Sequence, residues 1–420
     1  MIELLATTLG LPITFLGVVL IHELGHFFAA RLVGVKAEVF SVGFGRTLWS
    51  RMSPAGVRWQ IAAIPMGGYV RFVGDENAAS LSSMPEGPVI PGSLRAVSRL
   101  RQAVVVLAGP LANLVLTLAL LTAVPLIGGQ TAWPWVIEDL ALSEDVSPLL
   151  SGDEIIALNG KAITPNTSVE MLGSLLGDAP IADYAIRRDG TEMMLTGPRP
   201  DLPLLSLGAP GSPAETGGLE VGDLLLSVDG AALSSWAALQ AAVANSKGSP
   251  LQITTNRGGQ IIAAQLIPEL SGGRWLIGVA NAPLFTLAQE TPSLGDALTS
   301  GWTQTVDLLS GMVVGLTAST VGEGDPCALD GPLAIGQAAG QAIQLGPVVF
   351  LTFMAVISLG LGVLNLLPIP ILDGGHLLTL AVEALTGRPM GKRLQAVLFI
   401  GGVTLIVFLM LTATINDLGC

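Results

Sequence analysis

Four apolar runs decide what this chain can become. They are Leu4–Ala30, Ala103–Ile127, Val348–Leu367 and Leu394–Thr414, each near the ~20 residues that cross a bilayer as a helix. Backbone groups find no water in hydrocarbon, so such runs must close their hydrogen bonds internally. Half of the 420 residues are hydrophobic and 12% are charged. That is a membrane protein with room for water-soluble domains. The net charge of −13 argues against nucleic acid as a partner. The N-terminus has no basic region ahead of its apolar run, unlike a signal peptide.

Basic residues set the expected orientation. Arg31, Lys36, Arg46, Arg51, Arg58, Arg71, Arg95, Arg99 and Arg101 lie between the first two runs, and Arg388, Lys392 and Arg393 between the last two. Both segments are expected on the cytoplasmic side. The long stretch from Gly128 to Gly346 and both termini then lie outside. Cys327 and Cys420 would share that outer side, where a disulfide can form but nothing in the sequence requires one.

The first run contains HELGH, His22–His26. Residues four apart share a helix face, so His22 and His26 can address one metal ion, and Glu23 can reach a water beside it. Ionisable groups in a membrane helix cost roughly 2.5–3.5 kcal/mol each on insertion scales, so they are rarely there without a function.

Downstream, Trp59–Gly74 alternates, is rich in β-formers and has Gly67-Gly68 as a turn signal, which reads as a hairpin. It is apolar enough to dip into the membrane, where its edge could hold a substrate by strand addition. An ordinary small sheet under the helices is the plainer alternative. Asn77–Pro91 reads as a surface loop. In LAGPLANL, Leu107–Leu114, small residues allow close helix packing; Asn113 is either interhelical glue or part of a site.

In the outer stretch, SPAETGGLEVGDLLLSVDG at Ser212–Gly230 has the pattern of a PDZ core. SPLLSGDEIIALNG at Ser147–Gly160 repeats it, five residues shorter between Pro and Asp, as a degenerate copy. Such domains bind peptide ends by strand addition, or act here as a spacer or size filter. Pro292–Ser319 reads as an amphipathic helix on the outer membrane surface.

A two-histidine metal site needs a third protein ligand. Asp373, in NLLPIPILDGGH at Asn365–His376, is favoured because the surrounding prolines and glycines break the helix at membrane depth. Glu383 is its rival, and His376 is a further candidate that reads more naturally as a supporting group.

HELGH, AGPLAN at Ala108–Asn113, IPMGGYVRF at Ile64–Phe72 and NLLPIPILDGG at Asn365–Gly375, with PDZ-like repeats between, resemble the site-2 protease family of intramembrane zinc metalloproteases. The resemblance covers nearly the whole chain. It implies zinc held by His22, His26 and Asp373, with Glu23 as general base. It also implies substrate contacts at Asn365 and Pro368 and a substrate-clamping strand around Gly67, Gly68, Tyr69 and Val70. The implied substrates are single-span membrane proteins, such as anti-sigma factors or signal-peptide remnants, already trimmed by a first protease. The implied location is the bacterial inner membrane.

The expected architecture is a polytopic α-helical membrane protein with four transmembrane helices, a membrane-associated β-hairpin and tandem extracytoplasmic PDZ-like α+β domains. Its segments are residues 1–33 (first helix), 34–101 (cytoplasmic-side β-loop), 102–128 (second helix), 129–198 and 199–285 (PDZ-like domains), 286–345 (surface segment), 346–393 (third helix and LDGGH) and 394–420 (fourth helix). The competing reading is a non-catalytic PDZ-bearing adaptor with a structural zinc, which would have no need of Glu23.

Overall fold

The computed structural model describes residues 2–419 apart from 75–88, 143–145, 165–166, 168–175, 177–179, 209–210, 272–273, 322–330 and 389. Cys327, Cys420 and most of the loop expected at Asn77–Pro91 fall outside these residues. The chain forms two compact units, Met1–Gly128 with Pro292–Gly419, and Gly129–Thr291.

In the first unit, helix α1 (Ile2–Leu32) leads into strands β1 (Ala37–Met52) and β2 (Arg58–Phe72), joined by a tight turn at Ser53–Val57. Both strands bend. Phe40, Ser41 and Val42 are flanked on one side by Val70, Tyr69 and Gly68, and on the other by Trp59, Gln60 and Ile61. The two arms of β2 therefore do not pair with each other, as a hairpin within Trp59–Gly74 would require; the start of β1 lies between them. Gly67-Gly68 is not the turn. Gly68 is needed because a Cβ there would stand 2.5 Å from the Ser41 carbonyl oxygen. Phe27 of α1 packs on Phe40 and Trp59, which fixes the sheet against the helix.

Helix α2 (Arg99–Gly128) crosses α1 closely: a Cβ at Gly25 would run into the Ala108 carbonyl and the Ala112 methyl.

Among the described residues, the second unit holds two six-stranded sheets and two small two-stranded ones, and the two large sheets form its body. The first contains β3 (Trp135–Leu140), β4 (Glu154–Leu158), β5 (Ile181–Arg188) and β6 (Thr191–Pro198). The second contains β7 (Leu204–Gly208), the one-turn helix α3 (Pro213–Thr216), β8 (Leu224–Val228), helix α4 (Trp236–Ser246), β9 (Leu251–Arg257), β10 (Gln260–Leu266) and β11 (Val279–Ala282). The sequence repeat is a repeat of hydrogen bonds. Arg188 forks onto Asp153 at 2.7 Å through both nitrogens, and Arg257 onto Asp223 at 2.6 and 2.8 Å. Asn159 and Asp229 both adopt left-handed backbone (φ 49° and 51°) and accept from the main-chain N–H of Asp183 and Gln252. The five residues missing from the first copy include the four of α3.

The expected boundary at 285/286 falls within a strand. Strand β12 (Phe285–Leu287) follows the second sheet in sequence yet pairs with β3, completing the first sheet. Phe285 and Leu287 are buried with Trp135, Ile137, Ile155 and Tyr184 in one core. The second sheet is nested inside the first.

The chain then returns to the first unit as α5 (Leu294–Val321), α6 (Pro332–Leu345), α7 (Pro347–Leu366), α8 (Asp373–Thr386) and α9 (Lys392–Gly419). Gly301 of α5 abuts Thr122 of α2, while Leu298, Trp302, Val306 and Val313 on α5 stay exposed. Asp417 of α9 accepts the main-chain N–H groups of Gly331 and Leu333, capping α6. Among the described residues, four helical stretches are long and apolar enough to cross a membrane: Gly10–Leu32, Arg99–Gly128, Pro347–Leu366 and Arg393–Ile415.

Candidate metal centre and active site

The site lies wholly in the first unit, where α1, α2, β2 and the α7–α8 junction meet. One helical turn separates His22 from His26, and both imidazoles are buried. Asp373 comes to them because α7 stops at Leu366 and α8 restarts at Asp373. Gly374 and Gly375 make this reversal fit, since a Cβ on either would collide with the carbonyls of Leu366, Leu367 or Ile369. His22 Nε2 lies 3.1 Å from His26 Nε2 and 3.1 Å from Asp373 Oδ2, which is 3.4 Å from His26 Nε2.

A tetrahedral zinc with bonds of about 2.0–2.1 Å holds its ligand atoms about 3.3 Å apart, so the three atoms are spaced for one ion. Two further observations agree. Asp373 Oδ2 is buried without a hydrogen-bond partner, an expensive condition that a cation relieves. Gly109 on α2 leaves open the space in front of the imidazoles; a Cβ there would strike His26 Nε2 and lie 2.8 Å from His22 Cε1. The donor set and the space fit zinc.

His26 is oriented through its other nitrogen, since Nδ1–H donates to the Val105 carbonyl at 2.8 Å. Glu23, half-buried, stands beside the centre, and its Oε2 accepts the Val70 main-chain N–H at 3.0 Å. A cavity of about 180 Å³ opens here. His22, Glu23, His26, Gly68, Tyr69, Val70, Asn365 and Asp373 line it, together with Phe44, Phe72, Ile371, Leu372 and His376. Gly67 and Pro368 do not line it, and Pro368 is exposed. Glu383, the rival third ligand, is buried elsewhere, accepting from Met390 N–H at 3.0 Å and facing Arg99 at 3.8 Å. Phe44 and the Val105 carbonyl carry no sequence signal, because β-sheet register and helix crossing bring them in.

Two imidazoles and a carboxylate around one point, with a second carboxylate alongside, are the kind of donor set a zinc peptidase uses, here carried on helices fit to span a membrane. The chain belongs to Peptidase family M50, the site-2 proteases, whose family model matches residues 11–409. The regulator of sigma-E protease RseP of Escherichia coli strain K12 is 32% identical over 447 residues, covering 96% of this chain and 97% of its own. Protease RseP of Yersinia pestis is likewise 32% identical, over 96% of this chain and 97% of its own. A Pasteurella multocida relative, 31% identical over 95% of both chains, carries zinc metalloprotease in its name. This chain is therefore a metalloprotease, and its family implies zinc.

Proposed function

We propose that this protein is a zinc endopeptidase that cuts a peptide bond inside the bilayer. Its substrates would be single-span membrane proteins, anti-sigma factors or signal-peptide remnants, already shortened by a first protease. The observation that carries the reading is the convergence of His22, His26 and Asp373 at 3.1–3.4 Å beside Glu23.

In this reading His22, His26 and Asp373 hold the ion, which supplies Lewis acidity toward the scissile carbonyl and the attacking water. Glu23 takes the proton from that water and passes it to the leaving amine. A helical substrate hides its carbonyls in its own hydrogen bonds, so it must be drawn out straight. Gly68–Val70 is suited to holding it in that form. This segment lies on the outer side of the bent sheet, and the Val70 N–H points away from β1 toward the site. Asn365, which lines the same cavity, would offer its amide to the extended chain. The two nested sheets are PDZ-like domains that limit access to trimmed substrates or bind peptide termini. The distribution of basic residues supports a cytoplasmic position for the loops at 34–101 and 387–393, with the nested sheets and both termini outside the inner membrane.

The test is co-expression of a tagged, first-site-trimmed single-span substrate with the wild type and with Glu23→Gln. Cleavage by the wild type alone, with zinc retained in both, supports the reading. Full activity in Glu23→Gln ends it.

A further inference from the structure

Asn113 of α2 is fully buried, and its side chain meets His22 on α1. Its Nδ2 lies 3.3 Å from His22 Nδ1, while its Oδ1 has no hydrogen-bond partner. Its main-chain carbonyl is separately engaged, accepting from Thr117 and from Ser358 of α7. The side chain is thus spared from holding the helices together and is directed at the imidazole.

The chemistry of a metal ligand decides which end of the amide faces His22. If Nε2 gives its lone pair to an ion, a neutral imidazole must carry its proton on Nδ1. That proton needs an acceptor. The two ends of a carboxamide occupy the same space and exchange by rotation about one bond. Turning the Asn113 amide over brings Oδ1 to the position 3.3 Å from His22 Nδ1. His26 already shows the matching arrangement, with Nδ1–H donating to the Val105 carbonyl.

We propose that Asn113 is a positioning residue for the metal centre, its Oδ1 accepting the Nδ1–H of His22 and so holding that imidazole in the tautomer and orientation that bind zinc. The two histidines are then set by two acceptors from one helix, a main-chain carbonyl and, further along, a side-chain amide. This inference rests on the zinc-site reading above.

The experiment measures zinc affinity by chelator competition, and melting of the zinc-free form, on the full-length purified chain. It uses the wild type, Asn113→Asp and Asn113→Leu. Partners that orient a ligating histidine typically contribute about 10–100-fold in metal affinity. Asn113→Leu, which has no acceptor, should lose that much while its zinc-free melting stays at or above the wild-type value. Asn113→Asp, which has only acceptor oxygens, should stay within about threefold of the wild type or bind more tightly. Wild-type affinity in Asn113→Leu overturns the proposal, and so does a loss of tenfold or more in Asn113→Asp. Should Asn113→Leu fail to fold, Asn113→Asp decides alone, since it separates an accepting contact from a donating one. A wild-type chain that takes up no zinc defeats the metalloprotease reading instead, which is a different result.

Discussion

The main-chain N–H of Val70 donates to Oε2 of Glu23 at 3.0 Å. A strand on the sheet and a carboxylate on α1 are thereby tied together across the cavity. An extended substrate laid along Gly68–Val70 would draw on the same donor as Glu23, so capture of the substrate and release of the carboxylate are linked. Val70→Pro deletes this N–H from the side of the strand that has no ladder partner, where proline is tolerated. A hydrogen bond to a charged group contributes about 1.5–3 kcal/mol. Cleavage of a membrane substrate should therefore fall roughly 10–100-fold with zinc content unchanged, measured by gel assay and metal analysis. Undiminished cleavage would remove Val70 from the mechanism.

Two glycines at the α1–α2 crossing should fail in different ways. At Gly109 the added methyl meets imidazole atoms, which can turn aside. Gly109→Ala should lose zinc while melting of the zinc-free form stays close to that of the zinc-free wild type. At Gly25 the methyl meets the Ala108 main-chain carbonyl, which cannot turn aside. Gly25→Ala should lower stability by about 1–3 kcal/mol, the range for overpacking. Metal analysis and thermal melting on the two variants check the contrast.

Asp373→Ala should abolish tight zinc binding, whereas Glu383→Gln should leave metal content intact. Glu383 is occupied by Met390 N–H and Arg99. Zinc loss in the Glu383 variant alone would reverse the assignment of the third ligand.

In the second unit, Asp223 is fully buried and is paired by the two-point Arg257 fork. Removing one partner of a buried pair typically costs about 3–5 kcal/mol, because the other is left unpaired. Arg257→Ala should melt this unit well below the wild type, and Arg188→Ala should do likewise through Asp153. Circular dichroism melting of the full chain reads both.

Tyr184 is buried, with its hydroxyl donating to the Pro198 carbonyl, and burial pushes its phenol above the ordinary value. The folded state thus holds the neutral form. The stability this gives is fully present below about pH 10, the unfolded phenol value, and is lost as pH climbs toward the higher folded one. The chain has two tyrosines, so a Tyr69→Phe background leaves Tyr184 as the sole reporter. Tyrosinate absorbance should rise only together with alkaline unfolding. A reversible titration near pH 10 in the folded protein would contradict the burial argument.

The spans and the zinc motifs were legible because each rests on local pattern: length of apolar run, four-residue spacing, a proline–glycine break. Asp373 could be chosen over Glu383 on the same ground. Strand partnership was not legible in this way. Phe285–Leu287 is too short to carry a period, and its partner Trp135–Leu140 lies far back in the chain. Gly67-Gly68 looked like a turn because a turn and a close backbone approach both ask for glycine, and only the position of Ser41 distinguishes them. Asn113 stayed ambiguous for a similar reason, since the angle at which α1 and α2 cross decides whether it meets an imidazole or a neighbouring helix.

Nesting of the two sheets has a consequence for how this chain can be rearranged. Leu204 and Ala282 stand opposite each other in register, so the second sheet begins and ends at adjacent positions. It is a guest with its ends together, and the first sheet is its host. A guest of this kind can be exchanged for a homologue, because the join stays short. The host has no such freedom: cutting out residues 129–198 would leave Phe285–Leu287 with no strand to lie against. Domain swaps among relatives should therefore trade the inner sheet alone, or both sheets as one cassette.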